Sequence, residues 1–439
     1  MSDQSATSSH SLTAKKAAEI AVSSTPTGFL SHIKGFITRI DSLAETFPFT
    51  TIVIDASGQV AADERNNFLR DHGTSVDENS FALPSERLAA YHRLHEKLIK
   101  VQIASETVPR TFVVALVSEF DTFVSGLLRL FYEAHPDALR ASDRSLTLGE
   151  ILEFGSIEGA KDYVIEKEIE AVLRKSHSDQ FDALEKRLKL QLRRDLDIWN
   201  DFIEITERRN LFVHTGGIVT RQYVDVCTRA GDDRSDVPLG SRLEASHDYF
   251  LHAHRVIFEL GVKLGHVVWR KVLPEEMDSA DTHFAGELMY DLVFNKRYAM
   301  AIKLGEFAIK TFKRFGSDYN RRMLVVNRSQ AHKWDGDAAT SERILDDEDW
   351  SATSAEFRLA VAALRDDLSS VIPLMEEIGA TEQPGKVGYR EWPLFASVRN
   401  SDEYQEAFQK IFGEPLSVVS VSEDAPEEPS GAESANADD

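Results

Sequence analysis

The sequence predicts a mostly α-helical chain folded as more than one domain, and three observations carry that prediction. Leu, Ala, Glu, Lys and Arg recur at three- and four-residue intervals through most of the 439 residues, the spacing of helices that bury one face. Glycine and proline punctuate thinly, at 23 and 13 residues, so few segments read as turn-rich β-structure. With 42% hydrophobic and 28% charged residues the chain can fill a sizeable core, and its length suits two or three domains.

Charge narrows the function. There are 50 Lys plus Arg against 73 Asp plus Glu, a formal net charge of −23, which argues against a surface that is basic throughout and leaves room only for a local basic groove. The one cysteine, Cys227, excludes an internal disulfide and a multi-thiolate zinc site and fits a reducing compartment. No uninterrupted apolar run approaches the roughly 20 residues of a membrane span; one of the longest is Phe112 to Val117. The expectation is a soluble, cytoplasmic protein without membrane contact.

Residues 1–28 are a predicted disordered lead-in, because the 11 Ser and Thr among the first 27 residues leave little to bury. Residues 29–105 are an N-terminal accessory region. In it Thr50-Thr51-Ile52-Val53-Ile54-Asp55, followed by Ala56-Ser57-Gly58-Gln59-Val60, predicts a strand, a tight turn and a returning strand, the one persuasive β-hairpin signal. Pro84-Ser85-Glu86-Arg87 then opens a helix through Leu98, with Leu88, Tyr91, Leu94 and Leu98 on one face.

A domain over 106–275 follows. From near Thr111, Phe112, Leu116, Phe120, Phe123, Val124, Leu127, Leu130 and Phe131 repeat at three and four, a strong amphipathic pattern. Thr147-Leu148-Gly149-Glu150 predicts a capping box, the threonine satisfying one orphan amide and the glutamate reciprocating. A charged helix runs from Lys161 to Lys175. Another from Asp179 runs into Lys186-Arg187-Leu188-Lys189-Leu190-Gln191-Leu192-Arg193-Arg194, five bases in nine residues without an acid.

Over 276–416 the pattern becomes pairs of short helices. The turns Asn295-Lys296-Arg297-Tyr298, Asp335-Gly336-Asp337-Ala338 and Arg365-Asp366-Asp367-Leu368 recur at intervals of 40 and 30 residues. These bracket the roughly 34 residues of a tetratricopeptide repeat, which the region resembles in style; a plain helical bundle is the alternative. Trp392-Pro393-Leu394-Phe395, with Phe408, Ile411 and Phe412, would cap such an array. Residues 417–439 carry seven carboxylates and no base, a predicted disordered acidic tail.

The chemistry concentrates on the helix ahead of Gly216-Gly217. At about 100° per residue, Ile198, Trp199, Phe202, Ile205, Phe212 and Val213 fall on one arc. Arg209 lies in the middle of that arc, where an unpaired charge is costly, so Glu119 or Asp121 beside Phe120 is the expected partner. Asn210 and His214 lie one turn apart along the edge.

The segment Glu207-Arg208-Arg209-Asn210-Leu211-Phe212-Val213-His214-Thr215-Gly216-Gly217 resembles the signature of the HEPN superfamily (higher eukaryotes and prokaryotes nucleotide-binding domain). Active members carry an arginine and a histidine separated by four to six residues, the first of them usually polar, and Arg209, Asn210 and His214 fit. The resemblance covers about residues 106–270. It implies a helical bundle, a metal-independent endoribonuclease without cofactor, a 2′,3′-cyclic phosphate product, and a homodimer whose two motifs share one cleft. It also implies a prokaryotic role in phage defence by abortive infection, or as a toxin.

Residue chemistry is consistent with that implication. Cleaving RNA without a metal needs a group to move protons, which imidazole does in the physiological range, and His214 supplies one. It needs a fixed cation against the phosphorane charge, for which the forked guanidinium of Arg209 is suited. Asn210 would position the phosphate or the histidine. Lys186, Arg187, Lys189, Arg193, Arg194 and Arg208 are the expected contacts to RNA phosphates, with Glu119 and Asp121 in support. The rival is a non-enzymatic, HEPN-derived interaction or nucleotide-binding scaffold whose helical repeats hold a protein partner. A lone histidine near a helix end is more often a dipole partner for that helix, and a basic run is usually a solvated face. No metal site is expected at His247, Asp248, His252 and His254, because His252 and His254 would point to different faces of a helix. No phosphate-binding loop and no Gly-x-Ser-x-Gly elbow occurs.

Overall fold

A computed structural model describes residues 28–77, 80–141, 145–193, 196–234, 236–381 and 383–417. Arg194, the lead-in apart from Gly28 and the acidic tail apart from Ser417 lie outside the described residues. The chain is mostly helical, with one small two-stranded antiparallel sheet among the described residues.

Two long helices, α1 (Gly28–His72) and α2 (Leu88–Ala134), run antiparallel. Phe29, Ile33, Phe36, Ile40 and Phe47 bury one face of α1. Val113, Leu116, Val117, Phe120, Phe123, Val124 and Leu127 bury the face of α2 that the sequence pattern marks. A hairpin of β1 (Thr74–Asp77) and β2 (Ser80–Ala82) joins them, with Thr74 opposite Ala82. The strand pair expected over 50–60 is therefore wrong: those residues are helical and the hairpin lies some twenty residues further on. The run of β-branched residues satisfies a helical period as well as an alternating one, and the hydroxyls of Thr50 and Thr51 donate to the carbonyls of Thr46 and Pro48 inside the helix. The boundary expected at 105/106 falls within α2, so the accessory region and the following block share one helix. By length and composition α2 is also apolar enough to cross a membrane; from Val113 onward its apolar residues form core.

Further helices follow as α3 (Leu148–Glu153), α4 (Ile157–Leu173), α5 (His177–Leu188), α6 (Trp199–His214), α7 (Arg221–Ala230) and α8 (His247–Val272). The capping box of α3 is present: Thr147 Oγ1 accepts from the Glu150 amide at 3.3 Å, and the Glu150 carboxylate accepts from the Thr147 amide at 2.8 Å. α8 lies along α1 and α2, where Phe47 stacks on Phe250 at 4.3 Å.

The chain divides into two compact units. The first takes the described residues to Phe284 together with Phe307–Ser317; the second takes Ala285–Glu306 and the described residues from Asp318. The division thus falls later than the expected 275/276. Beyond α8 come α9 (Met277–Asp281), a π-helical segment Thr282–Leu288, α10 (Met289–Phe294), α11 (Tyr298–Thr311), α12 (Asp318–Trp334), α13 (Ala338–Asp346), α14 (Ala355–Leu364), α15 (Leu368–Ile378), α16 (Gly385–Glu391) and α17 (Asp402–Phe412). The three turns singled out in the sequence have one geometry. The amides of Arg297, Asp337 and Asp367 donate to the carbonyls of Leu292, His332 and Ala362 at 2.7, 2.9 and 3.0 Å. The middle residues Lys296, Gly336 and Asp366 are left-handed, with φ of 58°, 96° and 56°, as this helix-ending turn requires. Leu394, Phe395 and Phe408 are buried in the core of this unit, with Trp392, Ile411 and Phe412 packed against it.

In the first unit two histidines are buried against each other. His266 Nδ1 lies 2.9 Å from the Val262 carbonyl and its Nε2 lies 3.0 Å from His283 Nδ1; donation to the carbonyl leaves Nε2 as the acceptor from His283. Burial, with His283 beside it, pushes His266 down to about 3; burial, with Lys34 nearby, pushes His283 down to about 4. Both stay neutral when folded and gain protons near 6.5 once unfolded, so stability is full above about pH 6.5 and falls as pH drops toward 4. Thermal melts at pH 7.5 and 5 should show a lower melting temperature at the acid end, and His283→Gln should flatten that dependence.

Candidate functional site

α6 begins after the buried Ile198 and is pinned by Phe202, whose ring meets Phe120 of α2 at 5.0 Å and Phe181 of α5 at 5.8 Å. Because α2, α5, α7 and α8 all touch it, burial in its first turns extends past the expected arc: Ile203 and Glu204 are buried although they lie off it. The last turn is not enclosed. Val213, expected inside, is 51% exposed and Phe212 is only half-buried. Gly216 and Gly217 then close the helix with φ of 61° and 87°, the Gly217 amide donating to the Leu211 carbonyl at 3.0 Å. A Cβ on Gly217 would sit 2.8 Å from the Leu243 carbonyl oxygen.

Arg209 has the partner its position demands. Its Nη2 donates to Asp121 Oδ2 at 2.8 Å, while Asp121 Oδ1 takes His177 Nε2 at 2.9 Å. Glu119 is engaged elsewhere, with Arg39 at 2.6 Å. Arg209 Nε is buried without a partner. Asn210 donates to Glu207 Oε1 at 3.1 Å, and burial pushes the Glu207 carboxyl up. His214 is exposed and has no hydrogen-bond partner among the described residues.

Three of the five expected RNA-binding cations among the described residues are held in ion pairs. Arg187 bonds the Tyr132 hydroxyl at 2.8 Å and Glu168 at 3.2 Å. Arg193 bonds Glu185 at 2.6 Å, pairs also with Asp182, and lies over Trp199. Arg208 reaches Glu204 at 2.7 Å and stacks over Tyr249 at 3.8 Å. Glu204, 3% exposed, also accepts from the hydroxyls of Tyr223 at 2.7 Å and Tyr249 at 2.9 Å. Lys186 and Lys189 are exposed, and α5 ends between them where Lys189 turns left-handed.

Two neighbours went unmarked in the sequence. His177 stands at the start of α5, directly after its Ser176 cap; its proximity to Asp121 is a tertiary fact with no local signal. Arg110 donates to the Gly216 carbonyl at 3.2 Å and faces Phe212, following Pro109 inside a helix. The other histidines separate: His252 faces Asp201 at 3.6 Å and His254 bonds Asp41 at 2.8 Å. Among the described residues no three His, Cys, Asp or Glu side chains gather as a metal site.

Comparison of the chain with protein-family profiles, with curated proteins and with solved structures finds no match in any of the three.

Removing Glu204 leaves Arg208, Tyr223 and Tyr249 without their common acceptor. Glu204→Ala should cost about 3–5 kcal/mol, the range for breaking a buried ion pair, whereas Lys186→Ser should stay within about 0.5 kcal/mol. Urea unfolding of both variants measures the contrast.

Proposed function

We propose that the protein is a metal-independent endoribonuclease of HEPN type, working as a cytoplasmic homodimer in prokaryotic phage defence or as a growth-arresting toxin. One observation carries the reading: at the end of α6, His214 is exposed and unpartnered, while Arg209 is held by Asp121 with 20% of its side chain exposed. In the reaction the 2′-oxygen attacks phosphorus, the P–O5′ bond breaks, and a 2′,3′-cyclic phosphate remains. His214 takes the 2′-hydroxyl proton or delivers one to the leaving oxygen, and Arg209 offsets the phosphorane charge. The two residues lie roughly 140° apart around the helix, which supports a cleft in which Arg209 of one subunit meets His214 of the other. Among the described residues of the basic run, Lys186 and Lys189 are the exposed cations and would hold phosphates. The paired helices of the second unit would hold a protein partner, as tetratricopeptide-like arrays do.

The rival reading, a non-enzymatic scaffold that dimerises or binds a nucleotide, draws on the Arg209–Asp121 pair, which is also what a structural salt bridge looks like.

Purified protein in EDTA should cleave RNA, and His214→Ala should lower the rate by roughly 10²–10⁴ with an unchanged circular-dichroism spectrum, since the side chain is exposed and unpartnered. Arg209→Ala should do the same to cleavage. Equal cleavage by all three proteins, or none by the wild type, overturns the reading in favour of the scaffold.

Replacing Lys186 and Lys189 together by Ser should weaken RNA binding and lower the slope of its salt dependence by about 2, close to one for each phosphate charge left unneutralised. Binding measured across a salt series checks this, and an unchanged slope assigns both lysines to a solvated face.

A further inference from the structure

Metal-free cleavage of RNA moves two protons. One leaves the 2′-hydroxyl as its oxygen attacks phosphorus, and one must reach the 5′-oxygen as the P–O5′ bond breaks. Attacking and leaving oxygens stand roughly in line through phosphorus, so a histidine that serves one of them needs a second group on the far side of the phosphate.

α6 carries three carboxylates, and their surroundings separate them. Asp201 faces His252 at 3.6 Å, and Glu204 is buried under Arg208, Tyr223 and Tyr249. Glu207 has no ion pair among the described residues. Its Oε1 accepts from the Asn210 side chain at 3.1 Å, and its other oxygen has no hydrogen-bond partner among those residues. At about 100° per residue Glu207, Asn210 and His214 fall within about 60° of one another, a single stripe along the helix. Glu207 and His214 are two turns apart, about 10 Å along the axis, which leaves room for a phosphate between their side chains. Arg209 stands roughly 160° from Glu207 around the axis, so the cation would reach this stripe from the second subunit of the shared cleft.

Glu207 is also suited to carry a proton. It is partly buried, and burial pushes its carboxyl up against the opposing pull of the Asn210 amide, His177 of α5, Arg209 and Arg229 of α7. A carboxyl held in its acid form can donate where a carboxylate cannot. Asp121 is not free for this part, because one of its oxygens takes Arg209 and the other takes His177.

We propose that Glu207 is the proton donor to the leaving 5′-oxygen, with His214 as the base on the 2′-hydroxyl and Asn210 fixing the carboxyl through its hydrogen bond. The inference rests on the cleavage reading and assigns the acid and the base within it. The O2′–P bond forms as the 2′-hydroxyl gives its proton to the imidazole. The P–O5′ bond breaks with its electron pair going to O5′, which takes the Glu207 proton. An imidazolium and a carboxylate are left, and proton exchange with water resets both.

The test compares one RNA oligonucleotide that the wild type cleaves with the same oligonucleotide carrying sulfur in place of the bridging 5′-oxygen at the cleaved bond. A thiolate, whose conjugate acid titrates near 8.5, departs without a proton. Glu207→Gln keeps an oxygen for Asn210 and removes the proton. It should cleave the ordinary oligonucleotide roughly 10²–10⁴ more slowly than wild type, cleave the sulfur-bridged one within about threefold of wild type, and show an unchanged circular-dichroism spectrum. His214→Ala should be slow on both. Glu207→Gln as fast as wild type on ordinary RNA, or equally slow on both substrates, overturns the proposal, as does rescue of His214→Ala by sulfur, which would make the histidine the acid. Each of these outcomes leaves the cleavage reading standing so long as wild type cuts and His214→Ala does not cut ordinary RNA; no cleavage by wild type overturns both.

Discussion

Close approach of α8 to the two long helices is the constraint on which the first unit rests. A Cβ on Gly261 would lie 2.2 Å from Phe36 Cε1, and one on Gly265 would lie 3.0 Å from both Ile33 and Phe123. Only glycine permits those approaches, and they let Phe36 stack on Phe123 at 4.2 Å. α8 is consequently buried through nearly its whole length, including Glu259 and Lys263, which pair one turn apart. Once α8 and α2 are fixed, α6 has its place. Tyr249, near the start of α8, meets Glu204 and Arg208, while Phe120 and Asp121 of α2 meet Phe202 and Arg209.

The same packing decides what the charges can do. In a chain with this excess of carboxylates most arginines near α6 find an internal partner, and each partner is specific. Asp121 takes Arg209, Glu204 takes Arg208, Glu168 takes Arg187 and Glu185 takes Arg193. A basic cluster in sequence is therefore not a basic patch in space. Arg187 and Arg193 neutralise carboxylates of α4 and α5, whereas the lysines, compact and strongly hydrated charges on flexible stems, stay at the surface.

Features set by local geometry were legible in the sequence. The buried face of α2, the capping box at Thr147, the glycine closure after His214 and the three matching turns each depend on residues a few positions apart, and each is present. The Thr50–Val60 run misleads because its apolar positions fit two periods, and only the continuation from Phe47 selects the helix. The need of Arg209 for a carboxylate could be read from its place on the helix. Which carboxylate could not: Glu119 and Asp121 are about 200° apart around α2, so one faces Arg39 on α1 and the other faces α6. Glu204 looked like an ordinary helical glutamate, because its three donors come from Arg208, Tyr223 and Tyr249 on three helices.

In the second unit, α12 packs on α13, α14 on α15, and α12 on α14, with α17 closing on α15. Each helix pair therefore leans on its neighbour, and the repeated turn sets the angle inside the pairs. Leu345 of α13, Phe357 and Leu364 of α14, Val371 and Met375 of α15 and Phe408 of α17 nevertheless belong to one buried cluster. Loosening any one helix pair opens core that the others share, so under a pulling force the unit would hold and then give way in a single step.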